Sequence, residues 1–272
     1  MIKKTVSGFL LLLPSLLWAN ISATVDSTPG GIAQITFESK QLNPEAFYGS
    51  VPLYVQSLGE NQYQVLIGLP LMTKPGSKRI TLQGADDRYV FIEVDDQSHP
   101  DEYFETIVNV SDNQKSSSGR IKTEKSLFTK ARKTFSAKPL SEGYFVSPAH
   151  GRVTSVFGVN RYVNGEKGLP HIGLDIANTI GTPINASASG RVILVHDFYY
   201  LGKTVFIDHG QGLISSYSHL SEVNVIEGQT LRKAQELGKI GTTGRSTGPH
   251  LHWGIFMNQV AINPELLLKK PL

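Results

Sequence analysis

No cysteine occurs among the 272 residues. A disulfide framework and a thiolate metal site are both excluded, so stability must come from a buried core. An excess of one charge is also missing: 26 Lys and Arg stand against 23 Asp and Glu, a balance that argues against nucleic acid as the main partner. No apolar run reaches the roughly 20 residues that span a bilayer. After Gly143 there is no long amphipathic helical pattern, and the glycines do not lead into helices as a phosphate loop requires. The pair of carboxylates that a sugar-cleaving hydrolase needs in one cleft does not stand out either.

What is present begins with an address. Lys3 and Lys4, the apolar stretch Phe9 to Trp18 and the small-residue end Leu17-Trp18-Ala19 predict a signal peptide over residues 1–19. Cleavage before Asn20 would remove two of the lysines, leaving 24 basic residues against 23 acidic ones and no transmembrane anchor.

From residue 20 to 111 the chain is a series of short β-prone runs divided by turn formers. Ile32 to Phe37, Val51 to Val55, Tyr63 to Leu69, Arg79 to Leu82, Tyr89 to Val94 and Thr106 to Val110 are the expected strands. Their spacing suggests a small antiparallel β-sandwich without a ligand cluster. Residues 112–140 are expected to be a basic linker: Lys and Arg dominate the stretch, Ser116-Ser117-Ser118-Gly119 lies within it, and Ile121 to Thr134 is its helical portion. Such a linker could lie along an anionic wall or lipid surface. Residues 141–272 return to strand and turn, with a β-meander over Arg191 to Phe198, Lys203 to Asp208 and Leu213 to His219. In the last of these, alternation puts Ser215, Tyr217 and His219 on one face, with Tyr217 as a wall of the cleft that His219 enters. The whole chain is therefore expected to be all-β, with an N-terminal sandwich and a C-terminal antiparallel sheet domain. His99, His150 and His196 show no partner pattern, and His209, before Gly210, reads as structural.

Two segments carry chemistry. In His171-Ile172-Gly173-Leu174-Asp175, strand alternation puts His171, Gly173 and Asp175 on one face and Ile172, Leu174 and Ile176 on the other. Gly248-Pro249-His250-Leu251-His252-Trp253 repeats the pattern, with His250, His252 and Gly254 opposite Leu251, Trp253 and Ile255. Two apolar faces and two imidazole faces predict adjacent strands with a polar cleft above them. Three ligands of the His/Asp/Glu type with a fourth position left to water make a catalytic rather than a structural zinc site.

At these residues the sequence resembles the M23 zinc metallopeptidases, the lysostaphin-like or LytM-domain endopeptidases. The resemblance rests on His171-x-x-x-Asp175 and Gly244-x-Ser246-Thr247-Gly248-Pro249-His250-Leu251-His252. It continues through Gly181-Thr182-Pro183, Ile207-Asp208-His209-Gly210, Tyr217-Ser218-His219-Leu220 and Glu227-Gly228-Gln229. Pro29-Gly30-Gly31, Gly68-Leu69-Pro70-Leu71 and Lys74-Pro75-Gly76 are similar to the β-rich N-terminal domain of Gram-negative members.

The resemblance implies that His171, Asp175 and His252 hold one zinc ion per chain, while His219 and His250 are the unligated catalytic histidines. It implies a monomeric, exported endopeptidase in the periplasm or envelope of a Gram-negative bacterium, or secreted beyond it, cutting peptidoglycan stem-peptide cross-links. A D-alanyl to diaminopimelate bond is favoured over an oligoglycine bridge. The alternative is a non-catalytic LytM-like module that binds wall or activates an amidase; such relatives usually lack a ligand, and none is lacking here. One departure is local: the family often has Arg two residues after the Phe-Gly matched by Phe157-Gly158, where this chain has Asn160 followed by Arg161.

Overall fold

The structure, a computed structural model, describes residues 22–85, 88–104 and 118–269. The expected signal peptide and the expected strand Thr106 to Val110 lie outside the described residues.

The N-terminal part contains β1 (Ile32–Glu38), β2 (Glu45–Tyr48), β3 (Val51–Pro52), β4 (Tyr54–Gly59), β5 (Gln62–Gly68), β6 (Gly76–Gln83), β7 (Tyr89–Val94) and β8 (Asp101–Phe104). The first seven form two antiparallel sheets, β1-β5-β4 and β3-β2-β6-β7. Ala33, Val65 and Ile67 of the first meet Ala46, Ile80, Leu82 and Ile92 of the second in one apolar layer. Alternation drives this packing, since successive side chains leave opposite faces.

The other face of β1-β5-β4 is not left to solvent. Ile32, Tyr54 and Leu66 belong to the core of the C-terminal part, together with Ile262 and Met257. Strand β5 is therefore covered on both sides, which explains its nearly unbroken apolar run Val65-Leu66-Ile67. Two side-chain amides fasten the same junction. Gln211 accepts from Val55 N–H and donates to Val55 C=O, both at 2.9 Å. Asn258 treats Gly68 the same way, at 2.7 and 3.0 Å. Each amide satisfies a donor and an acceptor that burial would otherwise strand.

A helix follows, α1 (Ser118–Arg132), where a helical portion was expected. The C-terminal part then runs β9 (Arg152–Ser155), β10 (Asn160–Val163), β11 (Glu166–Lys167), β12 (Leu174–Ala177), β13 (Pro183–Asn185), β14 (Gly190–Phe198) and β15 (Gly202–Asp208). It continues with β16 (Ile214–Val223), β17 (Thr230–Leu231), β18 (Glu236–Ile240), β19 (His250–Met257) and β20 (Val260–Ile262). The main sheet has the order β17-β14-β15-β16-β19-β12-β9, with antiparallel neighbours. One parallel pairing lies apart from it: β8, just after the N-terminal sandwich, runs alongside β10.

The main sheet has one largely apolar face. Leu251, Trp253 and Ile255 of β19 join Leu174, Ile176, Val205, Ile207 and Tyr217 there. The opposite face is divided. At one end Phe206, Ile214 and Phe256 are roofed by α1 through Phe128, whose ring meets those of Phe206 and Phe256 edge-on at 5.5 Å. At the other end the same face carries the ionisable residues. Along β19, His250, His252, Gly254 and Phe256 share this side, so the metal-ligand candidates and the helix roof lie about 13 Å apart on one surface.

Two expectations about faces are corrected. Ile172 does not join Leu174 and Ile176; it packs with the α1 cluster instead, because β12 begins only at Leu174 and strict alternation does not reach back to it. Tyr217 is no groove wall. It is fully buried, its hydroxyl held by Ser187 Oγ at 2.6 Å and Ser215 Oγ at 3.1 Å, and it faces away from His219.

Candidate metal centre

Positioning of the ionisable groups starts with backbone register. Asp175 of β12 lies directly opposite His252 of β19, and His252 in turn opposes Ser218 of β16. Opposed residues of an antiparallel pair point to the same face, so Asp175 and His252 are brought together by pairing alone. His171 precedes the strand and is fixed by its backbone: its N–H donates to Val159 C=O at 2.9 Å and its C=O accepts from Gly158 N–H at 2.8 Å.

Strict alternation would send His219 into the core with Tyr217. It reaches the cleft because Ser218 and His219 together oppose Thr204 alone in a β-bulge, with His219 at φ +67°. The bulge shifts the pattern by one residue: Tyr217 and Leu220 stay in the core while His219 turns outward.

His171 Nε2, Asp175 Oδ1 and His252 Nδ1 converge, at 3.0 Å between the two nitrogens, 3.0 Å from His171 to Asp175 and 2.7 Å from His252 to Asp175. Of the described residues, these three form a group of His, Asp and Glu side chains placed to share an ion. Their chemistry fits one. His171 Nδ1 donates to Val156 C=O at 2.8 Å, which leaves Nε2 without a proton and its lone pair directed at the other two donors. An imidazole lone pair facing a second imidazole and a carboxylate in a nearly dry site is an arrangement suited to a cation.

The electrostatics agree with this assignment. Burial alone would raise the Asp175 carboxyl, but the imidazoles of His171 and His252 beside it outweigh burial and hold it well below the usual carboxylate range. His252 is pushed down by burial, against the opposing pull of Asp175. An ionised Asp175 carboxylate beside a His252 ring held neutral is what metal ligation requires of these two groups.

Gly173 shows how closely this centre is packed. A Cβ at this position would lie 2.6 Å from His252 Cε1 and 2.7 Å from the Trp253 carbonyl oxygen. Only glycine lets the chain cross the imidazole here.

His219 and His250 stand beside the three, with ring centroids 4.7 Å apart. His219 Nδ1 donates to Thr243 C=O at 2.9 Å, and His250 Nδ1 donates to Gly248 C=O at 2.8 Å. Each carbonyl fixes the tautomer, so that in the neutral ring the lone pair is on Nε2. That of His250 lies 4.0 Å from Asp175 Oδ1. Burial lowers His219 to about 4, so it is neutral at physiological pH.

All five residues named from the sequence are thus in one place. Several partners were not foreseen. Ser155 Oγ sits 3.1 Å from His171 Nδ1 and donates to the Glu102 carboxylate at 3.2 Å. Arg161, previously only a displaced family arginine, donates to the second oxygen of Asp175 at 3.1 Å. The carbonyls of Val156, Thr243 and Gly248 are backbone groups that no residue pattern announces, whereas the phase of Arg161 relative to Phe157-Gly158 was a usable signal. Of the histidines set aside, His209 is wholly buried between Ser189 C=O at 2.7 Å and Ser215 Oγ at 2.8 Å, a structural role. His196 lies 3.6 Å from Glu124.

Comparison with known proteins gives matches to both parts of the chain. Peptidase family M23 matches residues 169–264, and the peptidase family M23 N-terminal domain matches residues 26–97. A Pseudomonas aeruginosa protein solved as a candidate M23 peptidase superposes with a TM-score of 0.75 at 34% identity, covering 89% of this chain and 95% of that one. Peptidoglycan DD-endopeptidase ShyA of Vibrio cholerae is 40% identical over 94 residues, 35% of this chain and 22% of that protein. DD-carboxypeptidase/endopeptidase Mpg of Neisseria meningitidis is 36% identical over 123 residues, 45% of this chain and 28% of that protein. This chain spans about a quarter of the length of these curated relatives.

Proposed function

The chain belongs to peptidase family M23, and from that premise we propose that it is a zinc-dependent endopeptidase that hydrolyses peptide cross-links of peptidoglycan. The observation that carries the reading is the convergence of His171, Asp175 and His252 beside two further imidazoles whose Nδ1 atoms are each tied to a backbone carbonyl. A zinc ion held by the three would supply Lewis acidity and a water of lowered pKa.

The chain's own residues do the rest. Val156 C=O fixes the His171 tautomer and Arg161 orients the Asp175 carboxylate, as partners of metal ligands do. His219 and His250 accept a proton at Nε2, held in that state by Thr243 C=O and Gly248 C=O, and return it to the leaving amine. While protonated, either ring also stabilises negative charge developing on the substrate carbonyl.

The substrate comes from the relatives. ShyA and Mpg are named as endopeptidases, ShyA of peptidoglycan, and a D-alanyl to diaminopimelate cross-link is the bond we assign. Residues 1–19 are assigned as the export signal and the cell envelope of a Gram-negative bacterium as the site of action. The enzyme is taken as a monomer, with residues 20–111 and 141–272 as its two domains joined by 112–140. Among the described residues no helix is long and apolar enough to cross a membrane.

The test is mass spectrometry of fragments released from purified peptidoglycan, with and without a chelator. Chelator-sensitive loss of cross-linked dimers, with new free peptide ends, is the expected result. Intact cross-links with protein still bound to the wall would replace this reading with that of a non-catalytic binding module.

A further inference from the structure

The outer face of α1 has no part in the chemistry above, and its composition is unusual for a packed helix. Ile121, Glu124, Leu127, Phe128 and Ala131 recur at helical spacing and form the inner face. The opposite side presents Lys122, Lys125 and Lys130, followed by Lys133 in the turn just after the helix, all exposed, which share one open depression with Ser126 and Thr129. No acidic side chain of the helix offsets them. Its one carboxylate, Glu124, is buried, paired with Arg120 at 2.6 Å and accepting from Tyr199 N–H at 2.8 Å. Like charges three residues apart, as in Lys122 with Lys125 and Lys130 with Lys133, repel on an isolated helix. Packing of Phe128 on Phe206 and Phe256 holds them together nonetheless.

We propose that this lysine face is a docking surface for a solvated, carboxylate-bearing polymer, namely the peptidoglycan on which the active site works. The proposal rests on the proposed function for the identity of the polymer. Its support on the page is charge complementarity and position. Stem peptides carry free carboxylates, and lysines bind such groups as mobile point charges, without the fixed geometry of an arginine fork. The helix roofs Phe256 on the same sheet face that carries His250 and His252, so a polymer held at α1 lies on the side from which the cleft is reached. A bilayer is the less fitting partner. An interfacial helix needs its apolar face free for lipid, whereas here Leu127, Phe128 and Ala131 are spent on the sheet.

The experiment is co-sedimentation of the full chain with purified sacculi, with chelator present so that the wall stays intact. Binding is measured over a salt series for the unsubstituted protein and for the fourfold variant K122Q/K125Q/K130Q/K133Q. Glutamine keeps helix propensity, and an unchanged thermal midpoint confirms folding. The unsubstituted protein is expected to bind at low salt and to be released as salt rises, because exposed charges are screened beyond about 10 Å at 0.1 M. The variant is expected to bind at least roughly tenfold more weakly. Equal retention of both proteins, or retention indifferent to salt, overturns the proposal. So does lysine-dependent binding to phosphatidylglycerol vesicles that is tighter than binding to sacculi. Failure of the catalytic reading shows separately, as a zinc-loaded protein that leaves a soluble cross-linked dimer uncut.

Discussion

His171, Asp175 and His252 on one side of the cleft and His219 and His250 on the other occupy the same sheet face, yet their imidazoles are prepared for opposite tasks. In the first group, ring nitrogens oppose each other and a carboxylate oxygen at 2.7 to 3.0 Å. In the second, each Nδ1 is tied to a backbone carbonyl at 2.8 to 2.9 Å, and Nε2 of His250 stands 4.0 Å from Asp175 Oδ1, beyond hydrogen-bonding distance. His250 and His252 are two residues apart on one strand, so neither residue type nor face distinguishes them. Register does, by opposing His252 to Asp175 and His250 to Ala177.

The sharpest way to break this comparison is to remove one member of each class. His252→Ala is expected to lose zinc and with it all measurable turnover of a cross-linked peptide. His250→Ala is expected to keep zinc and lose roughly 10²–10⁴-fold in kcat, the range for a lost general acid or base. Equal losses of metal in the two variants would erase the distinction.

A fifth imidazole, His209, extends the comparison to one with no access to the cleft. Burial lowers it to about 4 from 6.5. The unfolded chain therefore takes up a proton near pH 6.5 while the folded one does so only near pH 4, and protonation between these values favours unfolding. Stability is full above the upper value and falls as pH drops through the window, by on the order of 3 kcal/mol for this group. Urea denaturation at pH 7 and pH 4.5 should show that loss, and His209→Gln should reduce it, leaving the part that His219 contributes over the same window.

Smaller changes probe the packing of the ligand side alone. Gly173→Ala puts a methyl group against the His252 ring and the Trp253 carbonyl. Zinc affinity, read by competition with a chromophoric chelator, should fall about 10–100-fold, as for other losses of ligand orientation. Ser155→Ala removes one partner of His171 while Val156 C=O remains. Its effect should lie near the lower end, about tenfold.

Much of this was legible in the sequence because it follows from alternation and turn chemistry. Leu251, Trp253 and Ile255 face the core and His250 and His252 the cleft, as period two requires. The strand Tyr89 to Val94 appears with the expected bounds, and the meander of β14, β15 and β16 begins within one residue of its expected starts. The failures occur where the period is interrupted. Ile172 precedes its strand, and the bulge at Ser218-His219 changes face between Tyr217 and Leu220. Alternation named His219 for the cleft by placing it with Tyr217, so the destination was right and the route was not. The docking of Leu66 and Tyr54 into the core of the C-terminal part depends on a contact between distant segments, which local pattern does not encode.

The measurement that bears most directly on the two classes of histidine is zinc content, by inductively coupled plasma mass spectrometry, of the purified protein, His250→Ala and His252→Ala. About one zinc per chain in the first two and almost none in the third is the expected result. Zinc retained in full by His252→Ala would contradict the ligand assignment on which the account stands.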